Sequence, residues 1–171
     1  PEGSLLLRPS GHGALLGNLE ATGGDLVVIK NIDNVLPDEA SAEVVRWKRL
    51  LIGYLAALQA QVFAHLSAVT AEAPTDDAIT AAERFAAATF AHQPPHGAAS
   101  RADRVRAIVA ALHRPLRVCG VVRNEGEPGG APFWVAGPDG RHSLQIVEKA
   151  QVDLNDPEQA RIFHSATHFN P

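Results

Sequence analysis

Leu51, Leu55, Leu58, Val62, Leu66 and Val69 stand four, three, four, four and three residues apart. Only an α-helix, at about 3.6 residues per turn, brings residues so spaced onto one face. The run predicts a long amphipathic helix over roughly residues 41–70, and its stripe has to be covered by other elements. Two further helices follow to do so. Thr75 can cap one that carries Ile79, Ala82, Phe85 and Phe90. Ser100-Arg101-Ala102-Asp103 has the capping-box spacing for another, with Val105, Ile108, Val109 and Leu112. The segment His92-Gln93-Pro94-Pro95-His96-Gly97 separates them, since proline cannot continue a helix, and Pro115 closes the last. Residues 39–115 therefore read as a helical block.

The block lies between two strand-rich parts, residues 1–38 and 116–171. In the first, Gly11-His12-Gly13 makes a turn before a short helix at Ala14–Leu19, which Thr22-Gly23-Gly24 stops. Asp25–Lys30 then reads as a strand. Its apolar run Leu26–Ile29 is continuous, as in a parallel strand buried on both faces, and it ends in Asn31-Ile32-Asp33-Asn34. In the last part Leu116–Arg123 alternates, with Val118, Gly120 and Val122 on one face and Cys119 and Val121 on the other. Phe133–Val135 and Ser143–Glu148 form a hairpin around Gly137-Pro138-Asp139-Gly140. Asp156-Pro157 starts a helix, with Asp as cap and Pro at its first position. The expectation is one mixed α/β domain of three parts.

The 171 residues suffice for one domain with its own core. A net charge of −4 with no basic stripe argues against nucleic acid as a partner. The single cysteine, Cys119, excludes an internal disulfide and suits a reducing, cytoplasmic compartment; within its strand it reads as a small buried hydrophobe. No uninterrupted apolar stretch reaches about 18 residues, so no membrane partner is expected. The sequence begins and ends in Pro and contains no Met, which reads as a piece of a longer protein. A sheet whose first strands lie elsewhere would present an exposed edge and a route to self-association.

Several residues carry candidate chemistry, each with a plainer alternative. Gly11-His12-Gly13 lets a base or phosphate approach the backbone, or is an ordinary glycine loop before a helix. Asp33-Asn34 puts a carboxylate and an amide at a strand end, where Asp33 can hold Mg²⁺ or simply make a turn. Glu148 can accept hydrogen bonds from sugar hydroxyls, or be a solvated strand end. Arg123 and Lys149 can offset phosphate charge, or be surface cations. The histidine pairs His92/His96 and His164/His168 lack the His-Glu-x-x-His pattern of a zinc site. No Ser/His/Asp order stands out as a triad.

The order of these pieces carries a resemblance. Pro9-Ser10-Gly11-His12-Gly13, Val28–Val35 with its Asn31-Ile32-Asp33-Asn34, Gly129-Gly130, Leu144–Val152 and Phe163–Asn170 resemble, in order, motifs of UTP–sugar-1-phosphate uridylyltransferases (UDP-sugar pyrophosphorylases). More closely, the chain resembles a bacterial domain-of-unknown-function family (DUF4301). The shared phrases are Arg8-Pro9-Ser10-Gly11-His12-Gly13-Ala14-Leu15, Ile29–Val35 and Asn124-Glu125-Gly126-Glu127-Pro128-Gly129-Gly130-Ala131-Pro132-Phe133-Trp134-Val135. The resemblance implies a GT-A-like nucleotide-diphospho-sugar transferase fold, partial here, with a mixed sheet and an inserted helical block. It implies transfer of uridylyl from UTP to a sugar 1-phosphate with Mg²⁺, or else a non-catalytic nucleotide-sugar-binding module. By the match, Gly11, His12, Gly13 and Asn31 would meet the nucleotide and Asp33 the metal. Asn34, Glu148 and Asn170 would meet the sugar, and Arg123 and Lys149 would be the catalytic cations. Those enzymes carry a lysine near the place of Arg123, and their glycine-rich triphosphate loop would lie upstream of Pro1.

Overall fold

The computed structural model describes residues 12–30, 36–92, 99–126, 129–138, 140 and 142–171. It divides into two compact units, residues 1–35 and 36–171. In the first unit a 3₁₀ turn at His12–Leu15 leads into helix α1, Leu16–Glu20. Gly23 follows at φ 61°, a left-handed conformation that glycine adopts without steric cost. Beyond it the structure departs from the expected strand. Asp25–Lys30 pairs with no other described strand, and Val27, Val28 and Ile29 are 40, 57 and 68% exposed. A parallel strand takes its hydrogen bonds from a ladder with its neighbours, and among the described residues this run joins no ladder.

In the second unit three helices form the core: α2 (Ser41–Val69), α3 (Asp76–Phe90) and α4 (Arg101–Leu112). Their ends are set as the spacing predicts. Thr75 Oγ1 accepts from the Ala78 N–H at 3.1 Å. Ser100 and Asp103 exchange the two hydrogen bonds of a capping box. Val62 and Val69 of α2 meet Ile79, Ala82 and Ala86 of α3 and Ile108, Ala111 and Leu112 of α4. Three of these eight residues are alanines, which allows the helix backbones to approach closely. Phe85 lies partly buried beside them, stacked on His65 at 4.6 Å and met edge-on by Phe90 at 6.0 Å.

Arg104 of α4 reaches Glu83 of α3 with two donors, Nε at 2.7 Å and Nη2 at 2.6 Å. Both side chains are less than a third exposed. The Arg104 hydrogen bonds hold the Glu83 carboxyl below its ordinary value, against a smaller opposing effect of burial.

The strands are β1 (Val122–Arg123), β2 (Ala131–Ala136), β3 (His142–Val147) and β4 (His168–Phe169). β2 and β3 form the expected hairpin, with Ala131 opposite Val147 and Ala136 opposite His142. β1 pairs with β4, and a bridge between Gly130 and Asn170 ties β4 to the start of β2. The strands thus form two two-stranded sheets, β1-β4 and β2-β3, joined by that single bridge, and every pairing among the described residues is antiparallel. Helix α5, Pro157–His164, begins where Asp156 Oδ1 accepts from the Glu158 N–H at 2.8 Å and the Gln159 N–H at 3.2 Å. The architecture is mixed α and β with small antiparallel sheets.

The expected strand over Leu116–Arg123 shrinks to Val122–Arg123. Its alternation persists upstream: Leu116, Val118 and Gly120 are partly buried, while Arg117, Cys119 and Val121 are exposed. Cys119 is thus exposed and not the buried hydrophobe expected of it.

Two outcomes follow from this core. Ile79 is fully buried, so Ile79→Ala should cost about 2–5 kcal/mol in urea unfolding, through lost burial and a residual cavity. The Glu83 carboxyl is lowered in the folded state from an ordinary 4.5. Its stabilisation is therefore present above that value and lost as pH falls through the folded one. Glu83→Gln should lower Tm at neutral pH, and its gap from wild type should close on acidification well below pH 4.5.

Candidate functional site

The second unit brings three of the predicted positions together around Gly130. The hairpin register, with Ala131 opposite Val147, sets Glu148 beside Gly130 on one side. The bridge sets Asn170 beside it on the other. The Asn170 N–H donates to the Gly130 carbonyl at 2.7 Å, and Asn170 Nδ2 donates to the Gly120 carbonyl at 2.6 Å. Asn170 therefore fastens three chain segments, and half of its amide is committed to the fold.

Both glycines are required by space. A Cβ on Gly130 would lie 2.7 Å from Ile146 Cγ2 and 2.9 Å from Glu148 Oε1. A Cβ on Gly129 would lie 2.5 Å from the Phe169 ring. The bare backbone at Gly130 is what lets the Glu148 carboxylate settle against the sheet. Glu148 itself is exposed, and its N–H donates to Gln151 Oε1 at 2.9 Å, which opens the 3₁₀ turn Lys149–Gln151. The corner thus carries an exposed carboxylate on one side of Gly130 and a fixed amide on the strand to its other side.

The other predicted residues stand differently. Lys149 follows Glu148 directly and is exposed. Arg123 is exposed on β1 and pairs with His168, two residues before Asn170. Gly11, Asn31, Asp33 and Asn34 lie outside the described residues, and for His12 only the backbone is described. Gly13 belongs to the 3₁₀ turn of the first unit, with open space where a Cβ would be. Among the described residues no group of three or more His, Cys, Asp or Glu that could hold a metal ion is formed. A Mg²⁺ site at Asp33 needs no such group, because Mg²⁺ is commonly held by one or two carboxylates and substrate phosphates.

Beside the corner lies an open cleft of about 390 Å³, lined by Val121, Pro132, Phe133, Ser165, Ala166, Thr167 and His168. Phe133 stacks on Phe163 of α5 at 5.8 Å, with the rings inclined by 22°. Thr167 Oγ1 and His168 Nδ1 are 2.9 Å apart. Sequence reasoning did not single out Phe133, Thr167 or His168 as site residues. The turn from α5 to β4 places them, and no spacing within either segment reveals that they meet.

The model of one family matches residues 1–171, the whole chain. The chain belongs to DUF4301, a domain of unknown function. No curated protein and no solved structure matches it. Neither comparison supports the expected likeness to uridylyltransferases.

The close contact at Gly130 is testable. Gly130→Ala should destabilise by about 1–3 kcal/mol, since the added methyl meets a strand side chain and a carboxylate. Adding Glu148→Ala should recover part of that loss in a double-mutant cycle, because one of the two obstructing groups is then gone.

Proposed function

We propose that this DUF4301 domain is nucleotidyltransferase-like, with a GT-A-like fold, and moves uridylyl from UTP to a sugar 1-phosphate with Mg²⁺. The observation that carries the reading is the meeting of Gly130, Glu148 and Asn170 in one corner. They come from three separated motifs of the resemblance. In this reading Glu148 accepts hydrogen bonds from sugar hydroxyls, and the uncommitted part of the Asn170 amide meets another. The cleft against Phe133 offers the sugar ring an apolar wall with Thr167 and His168 at its edge. A phosphate oxygen of the sugar attacks the α-phosphorus in line, a new P–O bond forms, the bond to the β-phosphate bridging oxygen breaks, and pyrophosphate leaves. Such transfer is catalysed mainly by positioning and charge, the roles assigned to Arg123 and Lys149. The nucleotide contacts Gly11, His12, Gly13 and Asn31, the sugar contact Asn34 and the metal contact Asp33 are assigned by the motifs alone.

The test is pyrophosphate release from UTP, Mg²⁺ and a panel of sugar 1-phosphates. Turnover is expected with at least one sugar. Glu148→Gln should raise KM for that sugar by about tenfold or more, as loss of hydrogen bonds to a charged acceptor does. Absence of turnover with every sugar, together with no UTP binding by calorimetry, overturns the proposal. Binding of a UDP-sugar without turnover reduces it to the second reading, a nucleotide-sugar-binding module.

A further inference from the structure

One face of the strands in the second unit carries a row of polar side chains. Arg123 and His168 are Cα partners in the β1–β4 pair. The next pair along is joined by a hydrogen bond, from the Asn124 N–H to the Thr167 carbonyl at 3.0 Å. Bonded and non-bonded pairs alternate in an antiparallel ladder, so Arg123 and His168 form a non-bonded pair, the kind whose side chains lie closest together. Both residues are exposed. Asn170 stands two residues beyond His168 and so on the same face. The bridge sets Asn170 opposite Gly130, against which Glu148 lies. The row thus has a guanidinium and an imidazole at one end and a carboxylate at the other.

The guanidinium end is the one open to an anion. Among the described residues no ion pair engages Arg123. Glu125 follows it two residues on, past the end of β1, in the turn where Asn124 Oδ1 accepts from the Gly126 N–H at 2.9 Å. Val121, two residues before Arg123, and His168 both line the open cleft of about 390 Å³, with Pro132 and Phe133. The pair therefore stands along one wall of that cleft.

Thr167 Oγ1 lies 2.9 Å from His168 Nδ1. A hydroxyl that donates there keeps the ring proton on Nε2, which leaves Nε2–H as a donor on the far side of the ring. An Arg fork and an imidazole donor side by side match the oxygens of a phosphate monoester. Glu148, at the other end of the row, repels such a charge and accepts from hydroxyls instead. A ligand with a phosphate at one end and hydroxyls at the other is thereby given one direction.

We propose that Arg123 and His168 together bind the phosphate of a sugar phosphate, with Thr167 fixing the His168 ring and the sugar hydroxyls directed toward Glu148. The assignment rests on the sugar-phosphate reading of this corner and adds His168 and Thr167 to it. Its test needs no turnover. The ring signals of His168 in the full chain, identified with His168→Gln, are followed by NMR as inorganic phosphate, hexose 1-phosphates, the free hexoses or UTP are added. At least one hexose 1-phosphate should move them, inorganic phosphate should do so more weakly, and the free hexoses should leave them in place. His168→Gln and Arg123→Gln should each weaken binding of that hexose 1-phosphate about tenfold or more by calorimetry, with circular dichroism showing an unchanged fold. Arg123→Lys keeps the charge without the fork and should recover only part of the loss. Thr167→Val should weaken binding about fivefold and alter the tautomer that the ring ¹⁵N signals report, which a merely structural role would not do. No movement with any phosphate, equal binding of a hexose and its phosphate, or unchanged affinity in His168→Gln overturns the proposal. So does UTP moving the signals as strongly as the hexose 1-phosphate, which assigns the pair to nucleotide phosphates. Uridylyl transfer that is indifferent to His168→Gln refutes this role and leaves the wider reading intact. Hexose 1-phosphate binding at His168 without turnover supports this role and counts against the wider reading.

Discussion

The burial of Ile79 and Ile108 between α2, α3 and α4 is the constraint on which the second unit rests. These side chains are almost wholly removed from water, and they can be so only because Ala82, Ala86 and Ala111 let the helices close on them. The Arg104–Glu83 pair then sits at the margin of this contact, where partial exposure limits its worth and the Arg104 hydrogen bonds set its pH dependence. Leu116 packs against the same core, so the first residues of the sheet-bearing part are anchored to the helices. Gly120 continues that line, between Leu51 of α2 and the Asn170 amide. The sheet corner is thus held by a chain of contacts that begins in the helical core.

Helices were legible because each carries its own signals. The stripe from Leu51 to Val69, the Thr75 cap, the Ser100–Asp103 box and the Asp156-Pro157 start are all local, and each is realised where its spacing predicts. The hairpin was legible for the same reason, since its turn and both strands lie within residues 131–147. Strands that depend on distant partners were not. Asp25–Lys30 has the apolar content of a buried strand but pairs with no described strand, and its valines face water. Leu116–Val121 keeps its alternation without a ladder, which is how Cys119 came to be exposed. Apolar content states that a residue would gain from burial; it does not state that a partner arrives.

The candidate site shows the same division. Glu148 and Asn170 were readable as residue types in motifs, yet nothing local says that both flank Gly130. The glycine supplies the link, because its missing side chain is filled from one side by Ile146 and Glu148. Phe133, Thr167 and His168 were invisible as site residues since the cleft exists only once α5 has turned the chain back onto β2. Motif order predicts which residues belong to a site more readily than it predicts the surface they share.

Asn170 illustrates how one side chain can serve both fold and site. Its backbone N–H and one amide donor fasten Gly130 and Gly120, and the strand that carries it is only two residues long before the bridge. So short a strand gains little from its ladder. Loss of the amide would therefore shift the corner as well as remove a polar group. A substitution there confounds recognition with architecture. Glu148, exposed and lying against the bare glycine at the start of the Lys149–Gln151 turn, ties down no second strand, which makes it the more informative residue for deciding what the corner binds.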